Sequence, residues 1–248
     1  VKALVRMPSP RLADGLLTHI ERRSVDVDTA RRQWDTYVGA LEAVGWQTVE
    51  VSPAPDHPDS VFIEDAVVVH GPNAMVTRPG ALERRGETPG AQAAVEQLGL
   101  HIATIEAPDT LDGGDVLKIG DRWYVGVGDR STAGACKQLA TYFDVDVVPV
   151  PITKALHLKS AVTALPDGTV IGYPPVVDDP AVFDTFLAVP EEPGSHVVVV
   201  DDDTVLMATS APMTAQMLQE RGLRTVQVDI GEFEKLEGCV TCLSVRIR

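Results

Sequence analysis

Apolar positions along this chain alternate between two spacings. VFIEDAVVVH and NAMVTR read as paired strands with Gly71-Pro72-Asn73 as their turn. AQAAVEQLG then moves to helical spacing and stops at Gly99, and HIATIEAP returns to a strand. DVLKIG and RWYVGVG form a second such pair. A helix follows, with Ser131 as its expected N-cap and Cys136, Leu139, Ala140 and Phe143 on one face, before DVVPVPI. SAVTALPDGTVIGY predicts a hairpin around Pro166-Asp167-Gly168, then a helix near 181–186 and the short strand FLAVP. HVVVVDDDTVLMAT is another hairpin, with a helix starting at Ser210 and Pro212 and stopping at Gly222, then RTVQVDI.

Strand pair, helix, strand thus recurs about every 40–50 residues, a period typical of repeat architectures. The first unit lacks its pair: KALVRMP is one strand, a helix over 28–44 buries Trp34, Val38 and Leu41, and QTVEVSP follows. The last residues, CVTCLSVRIR, are a strand without a partner. Pairing the two would close a ring and remove an exposed edge. The expected fold class is therefore α/β, a five-bladed α/β propeller of ββαβ units closed by the C-terminal strand, as one domain over residues 1–248. An open α/β sheet with extra hairpins is the competing architecture.

Composition narrows the function classes. The formal charge of −15 argues against nucleic acid, which needs a basic footprint, and weakly favours cationic ligands. No apolar run approaches membrane-span length, and VKALVRMPSP contains none of signal-peptide length. Val1 stands without an initiator methionine, as expected where a first residue or so precedes the numbering. Three cysteines form no even framework and suit a reducing, cytoplasmic setting.

Four stretches place polar residues where strand cores should be apolar. DSVFIED offers Asp59, Glu64 and Asp65; neighbouring carboxylates on a strand diverge, so one points inward, unless the strand simply ends there. TLDGGDVL sets Asp112 before two glycines, a turn or a close backbone approach. His157 interrupts the apolar run ALHLKSAV, as a core histidine or an acid/base. In GCVTCLSV, a zinc site would need two further ligands and a redox pair would sit at a helix start, so both readings are poor. On a regular strand Cys239 and Cys242 turn to opposite faces, leaving one thiol for a central site and one as filler. A thiol, a histidine and carboxylates from distant segments make a candidate cysteine-dependent enzyme.

Taken together, LADGLLTH, DSVFIED, TRPGALERRGE, LDGGDVLKIG, VGVGDR, ALHLKS and GCVTCLSVRIR resemble the guanidino-group-modifying superfamily, the penteins, over nearly the whole chain. The resemblance implies Cys242 as nucleophile, His157 as acid/base and Asp112 as its orienting carboxylate. It implies Asp65 on the substrate guanidinium with Glu64 and Asp59 beside it, and Arg84 (or its neighbour Arg85) with Arg130 on the α-carboxylate. Leu16 with Gly15 falls on a flexible lid, and Leu236 on a backbone contact to the α-amino group. Deiminases of the superfamily carry a second aspartate two residues after the histidine. Here that position is Lys159, and 248 residues leave no room for the helical insertion of arginine deiminases. Both points favour the branch that hydrolyses methylated arginines through a covalent thiouronium, with a small cationic amino acid as substrate and no metal or organic cofactor. The alternatives are another guanidino-modifying hydrolase or deiminase, and a non-catalytic ligand-binding ring.

Overall fold

Short β-branched runs separated by turn residues build five three-stranded sheets, and the computed structural model describes them over residues 1–248. In the first, β1 (Lys2–Val5) is followed by α1 (Val27–Ala43) and the parallel β2 (Gln47–Glu50). The second has β3 (Val67–His70) antiparallel to β4 (Asn73–Val76), then α2 (Thr88–Gln97) and the parallel β5 (His101–Thr104). The third repeats this with β6 (Val116–Ile119), β7 (Arg122–Val127), α3 (Ala133–Phe143) and β8 (Asp146–Pro151). A one-turn helix, α4 (Leu158–Ala161), leads to β9 (Val162–Ala164), β10 (Val170–Gly172) and β11 (Phe186–Ala188). The fifth sheet contains β12 (Val197–Val199), β13 (Thr204–Ala208) and β14 (Arg224–Val228), with α5 (Pro212–Glu220) between the last two. The short α6 (Gly231–Glu234) precedes β15 (Val245–Ile247), which pairs antiparallel with β1 in the register Lys2↔Ile247.

That last pairing supplies the missing strand of the first unit, as the sequence pattern requires. One edge strand of each sheet lies innermost: β15 packs on β3, β6 on β9, and β9 on β12. Five hydrophobic clusters fill the seams between neighbouring sheets, so each sheet buries apolar side chains against the next. The largest seam, between the fifth and first sheets, holds Trp34, Tyr37 and Phe233 together with Cys239 and Cys242.

Several local expectations change. No helix forms over 181–186: Pro180 starts a single 3-10 turn to Val182, and Phe186 already belongs to β11. Six residues behind a proline are too few to repay helix nucleation. The cap of α3 is Thr132, whose hydroxyl accepts from the Ala135 N–H, while Ser131 bonds elsewhere. Val38 is only partly buried; Tyr37, one position earlier, is wholly buried on α1. Glu64 and Asp65 sit on a 3-10 turn (Ile63–Ala66) rather than on a strand. Most consequentially, the closing strand is short. Cys239 to Ser244 form turns, with Cys242 N–H donating to the Cys239 carbonyl at 3.1 Å, so strand alternation does not govern the two thiols.

Candidate active site

The turn carrying the two thiols is held from below. Tyr37, wholly buried, hydrogen-bonds through its hydroxyl with the Val240 carbonyl at 2.9 Å and the Ser244 hydroxyl at 2.8 Å. The Glu64 N–H donates to the Cys242 carbonyl at 3.2 Å, tying this turn to the 3-10 turn of Asp65. Cys242 then faces a small pocket of about 20 Å³, lined also by His157, Asp65, Asp59, Arg84, Arg130, Leu16 and Leu236.

His157 caps α4 and is buried. Its Nε2 lies 2.9 Å from Asp112 Oδ2, and its Nδ1 lies 3.8 Å from Asp65 Oδ1. Burial alone would lower its pKa, but Asp65, Asp112 and Asp115 overcome this and raise it to about 9. The imidazole is therefore protonated on both nitrogens at neutral pH. Asp112 itself is clamped, accepting from the Gly80 N–H at 3.0 Å. Gly114 makes room for His157 and Asp65, since a Cβ there would stand 2.6 Å from His157 Nδ1 and 2.7 Å from Asp65 Oδ1.

Ser131, expected as a helix cap, instead donates to Asp115 Oδ2 at 2.5 Å and accepts from the Asp112 N–H at 3.0 Å. Asp115 accepts from the Leu158 N–H at 2.9 Å and so fixes the backbone next to His157. Burial comes first among the influences on Asp115 and pushes its carboxyl up to about 6.

Asp65 accepts from Arg84 Nη1 at 2.6 Å and the Gly114 N–H at 2.8 Å. Burial would raise its pKa, yet the His157 and Arg84 charges bring it down to about 2, so it is a carboxylate. Arg84 spends most of its donors on Glu87, Asp65 and two backbone carbonyls, leaving one Nη1 N–H uncommitted. Arg85 points away and donates to the Pro79 carbonyl, so Arg84 is the one of the two that reaches the pocket. Arg130 is half-exposed, and Nη2 donates to the Thr18 hydroxyl at 3.2 Å.

Asp112 stands behind His157, off the pocket wall. One expected substrate neighbour takes another place. Glu64 points to the far side, where Oε1 pairs with Lys159 Nζ at 2.5 Å and Arg246 Nη2 at 2.6 Å. Asp59 does line the pocket, but its carboxylate accepts the Leu16 N–H at 3.1 and 3.2 Å and so tethers the segment over the mouth. The other tether, Glu237, escaped the sequence reading. It accepts the N–H groups of Thr18 and His19, both at 2.7 Å, from a left-handed backbone at φ 59°. A positive φ on a glutamate has no signature in sequence patterning.

The thiols lie 3.2 Å apart at Sγ. Cys242 is held well above the ordinary thiol range, first by its hydrogen bond to Cys239, then by burial and the charges of Glu64 and Asp65. Cys239 is lowered, first by that same hydrogen bond and then by His196 and Thr241 against the effect of burial. Burial and the neighbouring carboxylates thus bias Cys242 toward the neutral thiol.

Asp65, Asp112 and His157 also cluster closely enough to contact one metal ion. Every carboxylate oxygen among them already has a donor, and Arg84 sits 2.6 Å from Asp65. A second cation there would face both the guanidinium and the imidazolium, so the donor set does not suit a metal.

Family models give no match to this chain. Individual relatives do. A dimethylarginine dimethylaminohydrolase of Streptomyces coelicolor is 60% identical over 250 residues, covering 100% of this chain and 97% of that protein. The enzyme of the same name from Pseudomonas aeruginosa is 31% identical over 98% of each chain. A solved structure of the Pseudomonas aeruginosa protein, a cysteine-to-serine mutant complexed with citrulline, superposes with a TM-score of 0.91 over 99% of this chain and 98% of its own, at 30% identity. With identity of this extent across the whole ring, the chain belongs to the dimethylarginine dimethylaminohydrolase family.

Proposed function

We propose that the protein hydrolyses Nω-methylated arginines, asymmetric dimethylarginine and monomethylarginine, to citrulline and di- or monomethylamine. The observation that carries this reading is the convergence of a neutral thiol, an imidazolium and a carboxylate on one covered pocket.

The substrate guanidinium sits against Asp65, its α-carboxylate is taken by Arg130 with the spare Arg84 N–H, and its α-amino group meets the backbone at Leu236. A bound cation favours the charged form of a neighbouring thiol, so on substrate binding Cys242 loses its proton to solvent. The thiolate adds to the central guanidinium carbon, forming a C–S bond. His157 gives its Nδ1 proton to the methylated nitrogen, the C–N bond breaks, and the amine leaves with a thiouronium on Cys242. Neutral His157 then takes a proton from water as that water attacks the same carbon. The C–S bond breaks, citrulline forms, and the thiolate and imidazolium return. Asp112 keeps the imidazole oriented throughout.

Lys159 supports methylated over unmethylated guanidinium. A second carboxylate there would grip two N–H donors, and Lys159 turns instead to Glu64, away from the pocket. Arg130 supports an amino acid over its decarboxylated amine, which offers it no anion. We further place the protein in the cytoplasm, on its three unpaired cysteines, and read residues 1–248 as one domain because each apolar seam joins two sheets.

The test is citrulline release from asymmetric dimethylarginine, monomethylarginine and arginine, with carbamoylputrescine release from agmatine measured beside it. Turnover of the methylated amino acids, lost in Cys242→Ser, is expected. Faster turnover of arginine than of either methylated substrate would refute the assignment.

A further inference from the structure

The ring axis has two ends, and the pocket of Cys242 occupies one. At the other lies an open channel of about 580 Å³, to which β3, β6, β9, β12 and β15 all contribute. Glu64 lies between the two, its backbone tied to Cys242 and its side chain turned toward the channel side.

The charge in this channel runs against that of the molecule. The chain carries 36 acidic and 21 strongly basic residues. Yet Lys118, Lys159, Arg246 and Arg248 line the channel, and no aspartate or glutamate does. Glu64, at the floor, offsets one of these four charges through its contacts to Lys159 and Arg246. Lys118 Nζ has only the Val69 carbonyl, at 2.7 Å, as a hydrogen-bond partner. Arg248 bonds the Val199 carbonyl, and Asp201 and Asp202 lie near it but outside ion-pair distance. Protein surrounds Lys118 while its side chain stays open to the channel. Burial first, then Lys159 and Arg246, lowers its pKa. Cations gathered at the mouth of a low-dielectric cleft focus a positive field that an anion relieves.

We propose that the channel is a second binding site, for a small phosphorylated anion, with its phosphates among Lys118, Lys159, Arg246 and Arg248 and its organic part along Val69, Leu165 and Val197. A single carboxylate would neutralise one of these cations. A di- or triphosphate matches their number; Arg248 supplies a planar fork for phosphate oxygens, while Arg246, whose Nη1 is taken by the Thr241 and Ser244 carbonyls, adds charge. The volume falls within the range of about 300–1,000 Å³ usual for small-molecule sites.

The test is calorimetric titration with inorganic pyrophosphate, inorganic triphosphate and ATP, at ionic strength matched with sodium chloride. Wild type is compared with Lys118→Gln, Arg248→Gln and, on the outer helix α3, Lys137→Gln. Binding is read without turnover, so it stands or falls separately from the hydrolase reading. Saturable 1:1 binding of triphosphate is expected. Each channel variant should weaken it about tenfold or more, with Lys137→Gln unchanged and citrulline formation retained in all three. ATP binding tighter than triphosphate would support the organic part; ATP no tighter would overturn that part. Heats no different from the chloride control, or equal affinity in wild type and the channel variants, would overturn the site.

Discussion

The sulfurs of Cys239 and Cys242 face each other at 3.2 Å across a turn, inside the apolar seam that joins the fifth sheet to the first. Cys239 is therefore a neighbour of the proposed nucleophile and offers a route to its oxidation. Peroxide would convert one thiolate to a sulfenic acid with release of hydroxide, and the adjacent thiol would displace water to close a disulfide. Two of the three thiols should disappear together with activity, and dithiothreitol should restore both. In Cys239→Ser the sulfenic acid should persist and react with dimedone. Wild type that keeps three titratable thiols after peroxide would sink this prediction.

The raised pKa of His157 links stability to pH. Folding lifts it from about 6.5 to about 9, so the folded state holds the proton more tightly. The resulting stability is fully present below about 6.5 and is lost as pH rises through about 9. Its upper bound is roughly 3 kcal/mol. Urea unfolding of wild type and His157→Gln across this window isolates the effect: the difference between them should shrink with rising pH. A difference independent of pH would place the imidazole's proton elsewhere.

Asp65→Asn removes the carboxylate that faces both Arg84 and His157. It should lower kcat/KM by about 10²- to 10⁴-fold, the scale of breaking a buried charged contact. The pKa of His157 should fall as well, because Asp65 is the strongest influence raising it. NMR titration of the imidazole would show that second effect, which a merely misfolded variant would not reproduce.

Glu237→Gln weakens the two N–H contacts that hold Thr18 and His19 over the pocket. Each hydrogen bond to a charged group contributes about 1.5–3 kcal/mol. The expected outcome is a KM raised roughly tenfold, with kcat changed less, and faster proteolysis within residues 15–24. An unchanged cleavage pattern would mean that Asp59 alone holds the segment down.

The fold was legible because each unit announces itself locally, through turn glycines such as Gly71 and Gly168 and through helices bounded by caps and stops. The closing of the ring was legible from one unpaired strand at each end. The site was legible less evenly. Cys242, His157 and Asp65 stood out as polar residues in apolar surroundings. The face of each thiol did not, because the turn after Gly238 replaces the strand on which alternation depends. Glu237 meets Thr18 across 219 positions of sequence, and such a contact leaves no periodic trace. Ser131 illustrates a third case: its local chemistry suits a cap, but the buried carboxylate of Asp115 claims its hydroxyl first.

Because Cys242 lies just ahead of β15, and β15 docks on β1, this thiol reaches its place only when the two most distant strands of the ring meet. Contacts of that sequence separation are the slowest for a chain to find. A molecule with four sheets formed and the fifth seam open would look nearly native by its secondary structure yet be chemically silent. Covalent capture of Cys242 by a guanidinium-bearing electrophile would thus count finished rings one by one, making reactivity a stopwatch for the final step of assembly.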